Sequence, residues 1–282
     1  MLRSAMAIRN FNQALAFVTG GASGIGLGIA KVLVARGARA ILADFRQDHL
    51  DQAVAAFTAD GRRDRIEPLL LDVTDREAFE AVALAIDAAH GGIDILVNNA
   101  GVGVEGPLRA ARYADWDFGL GVNLGGVING IQTFVPRMLA RGKGGHIVNT
   151  ASLAATIVMP SQYGIYTTTK AAVIALSESL RLDLAPDGIG VSVLCPGFVK
   201  SNIHEANLNR PAHLRAESGF GASEQALSER VPGDDWMAPE DVGEMVATAI
   251  AEDQPYIVTH GQFRAQMQAR FDGIMGATPP WP

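Results

Sequence analysis

The run Thr19-Gly20-Gly21-Ala22-Ser23-Gly24-Ile25-Gly26 constrains this chain more than any other stretch. It follows a short apolar run, Leu15 to Val18, that reads as a buried strand. It precedes Leu27 to Arg36, which has helical spacing and stops at Gly37. The glycines therefore fall on a strand-to-helix turn. Glycine there lets the backbone approach a phosphate closely, and the free N–H groups of the new helix favour an anion. A mononucleotide or dinucleotide is the expected guest. The spacing is neither G-x-G-x-x-G nor a Walker A loop. Taken alone, the turn also fits glycines that only relieve steric strain.

The rest of the chain repeats that strand–helix unit. Arg39 to Ala43 reads as a strand ending in Asp44, and Gln47 to Ala59 as a helix. Ile66 to Leu71 is a third strand, leading into Asp72-Val73, and Asp75 to His90 is an amphipathic helix stopped by Gly91-Gly92. Ile93 to Val97 is a fourth strand, running into Asn98-Asn99-Ala100-Gly101. Gly144 to Thr150 and Ile189 to Leu194 are further strands, and Tyr256 to Thr259 is the last. Long helical stretches lie between them at Tyr113 to Leu139, Tyr166 to Leu184 and Pro239 to Ala251, with another at Phe263 to Ile274. This alternation predicts an α/β, Rossmann-type doubly wound parallel sheet of about seven strands with helices on both faces. In such sheets ligands bind beyond the carboxyl ends of the strands, and Gly20, Asp44, Asp72 and Asn98 all fall there.

Composition narrows the class. The chain has 282 residues, 48% of them apolar, enough for a sizeable core. We read 1–282 as a single domain, with residues 1 to about 13 a loose leader carrying Arg3 and Arg9. The net charge of -7 and the lack of a basic cluster argue against a nucleic-acid partner. No apolar run approaches the length that spans a bilayer. The single cysteine, Cys195, fits a reducing cytosol, and it reads as a buried structural thiol. The scattered histidines hold no metal-ligand spacing. Residues 202–237 are polar, irregular and long for a loop, as expected of a functional lid. Residues 261–282 form a C-terminal extension.

Particular side chains carry the chemistry. Asp44 lies 18 residues after Gly26, a position suited to accepting hydrogen bonds from an adenosine ribose. Its charge favours NAD over NADP, with Arg46 close enough to soften the preference; otherwise Asp44 simply opens a loop. Asp72 meets an adenine edge or caps the next helix. Asn123, between Gly121 and Gly125 in a helix, marks a functional distortion or faces solvent. Tyr166 and Lys170, four apart, share a helical face. A tyrosine acting as a base near neutrality needs a shift of about three units, or ~4 kcal/mol. A lysine cation ~5 Å away at an effective dielectric of ~20 supplies about 3 kcal/mol. Such pairs also occur as plain helix surface.

Together these pieces resemble the short-chain dehydrogenase/reductase family over nearly the whole chain. The resemblance rests on Thr19 to Gly26, Asn98 to Gly101, Asn123, Ser152, Tyr166 with Lys170, and Pro196-Gly197. It implies NAD as cofactor and a hydride exchange between a secondary alcohol and a ketone. Tyr166 would exchange a proton with the substrate oxygen, and Ser152 would hydrogen-bond that oxygen. Lys170 would lower the Tyr166 pKa and hold the nicotinamide ribose, and Asn123 would position a relaying water. Cofactor contacts are implied at Gly20, Ser23, Gly24, Ile25 and Gly26, then at Asp44, Asp72 and Val73. Asn99, Ala100 and Gly101 follow, and then Pro196, Gly197, Val199 and Ser201, with Tyr166 and Lys170.

Many members of the family place the serine 13 residues before the tyrosine, whereas Ser152 stands 14 before Tyr166. A one-residue insertion between Ala154 and Gln162 accounts for this; Ser161 is the alternative serine and Tyr163 the weaker alternative base. That spacing, and the tail Pro255-Tyr256-Ile257-Val258-Thr259-His260, resemble bacterial NAD-dependent Cα-dehydrogenases. These oxidise the benzylic alcohol of lignin-derived β-aryl ethers. Ile203, Leu208, Leu214, Phe220 and Trp236 would then either enclose an aromatic substrate or pack the lid. The resemblance also implies a cytoplasmic homo-oligomer, a tetramer or dimer. Other readings are a reductase acting on a hydrophobic ketone and a non-catalytic NAD sensor on the same fold. The full set Asn123, Ser152, Tyr166 and Lys170 favours the enzyme, because a sensor needs no proton relay.

Overall fold

The computed structural model describes residues 8, 10–221, 223, 226, 229 and 233–280. Seven strands form one parallel sheet in the order β3-β2-β1-β4-β5-β6-β7. They are β1 (Leu15–Thr19), β2 (Arg39–Asp44), β3 (Ile66–Leu70), β4 (Ile95–Asn98), β5 (Gly145–Thr150), β6 (Ile189–Cys195) and β7 (Tyr256–Val258). The strand order reverses direction between β1 and β4, the crevice where this architecture binds ligands.

Each central strand is buried on both faces, so it reads as an unbroken apolar run. In β1, Ala16 and Val18 face one layer while Leu15 and Phe17 face the other. The first layer holds α1 (Gly24–Ala35), α2 (Gln47–Ala59) and α8 (Pro239–Glu252), through residues such as Ile29, Leu33, Phe57, Val242 and Ile250. The second holds α3 (Arg76–His90), α5 (Gly126–Arg141) and α6 (Gly164–Leu184), with Phe17 against Phe134 at 4.7 Å between ring centroids. Helices α1 and α8 touch through glycines. A Cβ at Gly28 would lie 2.3 Å from the Pro239 backbone.

Some expectations change. The leader is not loose at its end: Phe11 is buried in the first layer and Ile8 packs against it; Arg3 and Arg9 lie outside the described residues. The stretch α4 (Tyr113–Leu120) through α5 is long and apolar enough by length and composition to cross a membrane. Its apolar residues are instead largely buried inside the fold. Residues 202–237 are not structureless. They contain a 3-10 turn at Ile203–Asn209 and a short helix α7 (Ala212–Ala216). Phe220 and Leu214 pack inward on Val104, Phe118 and Ile165, so they pack the segment rather than line an opening. Ile203 and Trp236 remain partly exposed, and the side chain of Leu208 lies outside the described residues. The C-terminal helix α9 (Arg264–Gly276) is tied back by the Arg270 guanidinium, which donates to the Ala155 carbonyl.

Candidate active site

Backbone geometry at the first turn demands glycine. Gly20 and Gly24 have φ of 61° and 48°, the left-handed region. A Cβ at Gly26 would sit 2.1 Å from the Gly20 carbonyl oxygen, and one at Gly24 would sit 2.9 Å from Ser201 Cβ. The turn therefore closes tightly, and it faces the loop that follows β6. Thr19, at the end of β1, fixes the neighbouring strand end. Its hydroxyl accepts from the Asn99 N–H (2.9 Å) and the Ala100 N–H (3.1 Å). The Asn99 side chain donates in return to the Thr19 carbonyl (3.1 Å). The cradle is thus locked to the loop Asn99-Ala100-Gly101.

Asp44 lies beside this cradle. Its carboxylate accepts from the Ala22 N–H (3.2 Å) in the turn and from the Arg46 N–H (3.0 Å). The Arg46 guanidinium points elsewhere, to Asp48 and to Glu205. It therefore does not soften the Asp44 charge in the way its sequence position allowed. Asp72 is exposed and accepts from the Thr74 N–H and hydroxyl; the cap of α3 is Asp75, which accepts from the Ala78 N–H. Of the two sequence readings for Asp72, the helix cap is thus excluded. The Val73 carbonyl is held by the buried Asn129 amide (2.9 Å).

The reactive groups stand at the ends of β4 and β5. Asn98 is buried and structural: it donates to Asn149 (2.9 Å), which donates to Ser177 on α6 (3.0 Å). This chain ties α6 to the sheet and so sets the position of Tyr166 and Lys170. Between α4 and α5 the helix widens into a π-turn, Gly121–Gly125, with Asn123 at its centre. Asn123 is fully buried, not solvent-facing. Its side chain accepts from the Val102 N–H (2.8 Å) and donates to the Val102 carbonyl (3.0 Å) and Thr169 (3.2 Å). That side chain clamps the β4 loop onto α6, where sequence reasoning gave it a water.

Lys170 is buried, and its ammonium donates to the Thr150 carbonyl (2.9 Å). It stands 3.2 Å from where a Cβ on Gly101 would be, so that glycine keeps space in front of it. Burial lowers the Lys170 pKa to about 8. Ser152, just past the end of β5, stands beside the Tyr166 hydroxyl and acts to lower its pKa, whereas Ser161 is exposed and Tyr163 only half-buried. The structure thus brings Ser152 rather than Ser161 to Tyr166, despite the longer spacing. Burial pushes the Tyr166 phenol up, and Ser152 only partly opposes this. The direction is opposite to the one argued from the Tyr-x-x-x-Lys spacing. The lysine nitrogen lies 5.9 Å from the tyrosine ring centroid but is aimed at Thr150, so desolvation outweighs its charge. Cys195 lies behind these groups, buried, with its thiol pushed up by burial to about 12; it is the inert structural thiol expected.

After β6, the Gly197 N–H donates to the Thr259 hydroxyl (3.0 Å), and a Cβ there would meet the His260 ring. Val199 is buried and pairs with Met237 across an isolated parallel bridge. Its side chain is spent on the core. Sequence reasoning missed Thr19, Asn129, Asn149 and Thr259 as the groups that hold these loops. Thr19, Asn149 and Thr259 lay inside stretches already singled out; Asn129 carried no local signal.

Comparison with known proteins agrees with this geometry. Residues 14–211 match the family described as short chain dehydrogenase. The C alpha-dehydrogenase of Sphingobium sp. strain SYK-6 is 38% identical over 97% of this chain and 89% of its own. The 3-oxoacyl-acyl-carrier-protein reductase FabG of Thermotoga maritima is 32% identical over 85% of this chain and 91% of its own. Among solved structures, a short-chain dehydrogenase/reductase from Burkholderia phymatum in complex with NAD aligns with a TM-score of 0.87. It is 35% identical over 97% of this chain and 98% of that chain. A glycine cradle at the β1 turn and a Ser152–Tyr166–Lys170 cluster at the strand ends, on a sheet of this topology, accompany those matches: the chain belongs to the short-chain dehydrogenase family.

Proposed function

We propose that this chain is an NAD-dependent dehydrogenase that oxidises a secondary alcohol to the ketone, and that its substrate carries a benzylic Cα-hydroxyl in a lignin-derived β-aryl ether. The observation that carries the reading is the convergence of Ser152, Tyr166 and Lys170 beside the glycine turn. The cradle suits a dinucleotide, because it is a strand-to-helix turn closed so tightly that Cβ atoms at Gly20, Gly24 and Gly26 would meet neighbouring atoms of the chain, and it ends at a helix N-terminus that favours an anion. Asp44 offers a carboxylate for the ribose hydroxyls. NAD, when bound, supplies the hydride acceptor. The protein's own work is to hold the alcohol oxygen on the Ser152 and Tyr166 hydroxyls and to take its proton at Tyr166. Lys170 carries a positive charge at neutral pH, would donate to a ribose hydroxyl of the bound cofactor, and favours prior loss of the tyrosine proton to solvent, which leaves the tyrosinate that takes the alcohol proton. Asn123 is a positioning residue for α6 and the β4 loop. The substrate class draws support from the similarity to the C alpha-dehydrogenase, together with the 14-residue spacing from Ser152 to Tyr166.

The test is steady-state kinetics and NAD titration of the wild type and Tyr166→Phe. A β-aryl-ether model dimer and a small aliphatic secondary alcohol serve as substrates. The Phe variant should lose at least ~10² in oxidation rate, a typical share for one general base, with NAD affinity changed only a few-fold. The aryl ether should be the far better substrate. Full activity in Tyr166→Phe would overturn the assigned base, and equal turnover of the two alcohols would remove the aryl-ether reading.

A further inference from the structure

The Arg46 guanidinium is held by carboxylates from two distant parts of the chain. Its Nε donates to Asp48 Oδ1 (3.0 Å), on the first turn of α2. A second nitrogen also bonds Asp48. Its remaining terminal nitrogen donates to Glu205 (2.8 Å), 159 residues away on the Ile203–Asn209 turn. Arg46 stands two residues after Asp44, where an arginine beside the ribose site accommodates the 2′-phosphate of NADP. Of Arg46, Asp44 holds the backbone N–H and not the guanidinium. The arginine that would otherwise serve NADP is thus turned away and neutralised, and one of the two carboxylates that hold it comes from the segment before α7.

We propose that Glu205 is a cofactor-specificity residue: it sequesters Arg46 and adds negative charge at the ribose end of the crevice, so that a 2′-phosphate finds repulsion and no free cation. The proposal rests on the NAD reading above. Asp48 is a near neighbour on the same helix start and stays with Arg46 whatever the segment does. Glu205 is the contact that changes if the 203–209 turn moves. Cofactor choice and the placement of this segment are therefore coupled through one ion pair. Both partners are part-exposed, so the effect is modest and screened by salt.

The experiment is equilibrium titration of NAD+ and NADP+ by protein fluorescence at low and high salt. It compares the wild type, Glu205→Gln, Glu205→Lys and the pair Asp44→Ala/Glu205→Gln against Asp44→Ala. Glu205→Gln should tighten NADP+ by about five-fold at low salt and by less at high salt. Glu205→Lys should tighten it further, and NAD+ affinity in both should stay within about two-fold, since no NAD ribose contact is lost. Removing Glu205 in the Asp44→Ala background should again tighten NADP+. Unchanged NADP+ affinity on removing Glu205 in both backgrounds, with NAD+ still binding the wild type, would overturn the role of Glu205 alone. A wild type that binds neither cofactor would overturn the NAD reading and this inference with it.

Discussion

Asp115→Asn is the substitution whose effect the structure specifies most fully. Asp115 sits at the start of α4 with no solvent exposure, and all its hydrogen bonds reach the segment beyond β6 or its own helix start. Oδ1 accepts from Arg210 (2.9 Å) and the Ser218 hydroxyl (2.6 Å); Oδ2 accepts from the Gly219 N–H (3.0 Å) and the Arg112 N–H (2.9 Å). The Arg210 guanidinium lies 4.6 Å from the Phe118 ring centroid. An asparagine keeps the shape, removes the charge and turns an NH2 toward one pair of donors. Breaking a buried ion pair costs about 3–5 kcal/mol. At ~2–4 °C per kcal/mol for a chain of about this size, global unfolding should occur ~6–20 °C lower. If residues 203–220 open locally instead, the loss is limited to that opening, and proteolysis within the segment accelerates while the melt moves less. Burial alone would raise the Asp115 pKa, but the bonds from Ser218, Arg112, Gly219 and Arg210 outweigh it and hold the carboxyl below its ordinary range. A depressed folded-state pKa gives stability that is full above the unfolded value, ~4, and is lost as pH falls through the folded one. The gap between wild type and variant should therefore be flat from pH 5 to 8 and close in stronger acid. Thermal melts and limited proteolysis across that range decide the matter. Unchanged melting together with unchanged cleavage of the segment would refute the reasoning.

Other perturbations give distinct outcomes. Gly26→Ala places a Cβ 2.1 Å from the Gly20 carbonyl oxygen; it should strain the turn by about 1–3 kcal/mol and weaken NAD binding, which calorimetric titration measures. Asp44→Ala should narrow the preference for NAD over NADP mainly by weakening NAD, and comparable kcat/KM for the two cofactors in the unmodified protein would refute this. Lys170→Met should abolish alcohol oxidation yet raise the melting temperature of the cofactor-free protein at pH 7. That rise should shrink above pH 8, and a variant less stable than wild type at pH 7 would contradict it.

Much of this arrangement is legible in the sequence because it is local. The buried strands are unbroken apolar runs, and the glycine turn, Tyr166 and Lys170 are set by short-range spacing. Even Asn123 announces itself, since an amide between glycines is a poor helix residue, and the helix does widen there into a π-turn. Element ends are less legible where a side chain decides them. Asp75, not Asp72, caps α3, and β4 begins at Ile95 rather than Ile93, where Asp94 turns its carboxylate to the Leu15 N–H (2.9 Å). The segment after β6 is least legible. Its order comes from Arg210 meeting Asp115 across 95 residues and Glu205 meeting Arg46 across 159, partners that no local pattern couples. Polar composition there reads as a loop until the buried charge pair is seen.

The electrostatics of the reactive cluster explain why such a site needs so much scaffolding. Lys170 is moved from 10.5 to about 8 by burial, so keeping it charged costs about 3 kcal/mol at 1.36 kcal/mol per unit. A lowered folded-state pKa on a base makes this penalty complete below pH 8 and removes it as pH rises toward the unfolded value, so stability from this group grows over that window. The ammonium bond to the Thr150 carbonyl returns about 1.5–3 kcal/mol. Tyr166 is displaced upward by the same desolvation, which holds it neutral and protonated at rest. Both groups therefore sit in the folded protein in states that burial sets against their chemistry. Keeping them in place falls to neutral, hydrogen-bonded groups around them: Asn98, Asn149 and Ser177 behind α6, and Asn123 with Thr169 beside it. None of these groups carries a net charge, so each fixes geometry without setting another charge against the lysine. The division of labour follows from burial. Uncharged hydrogen bonds set the distances, and the buried Lys170 ammonium supplies the bias toward losing the tyrosine proton.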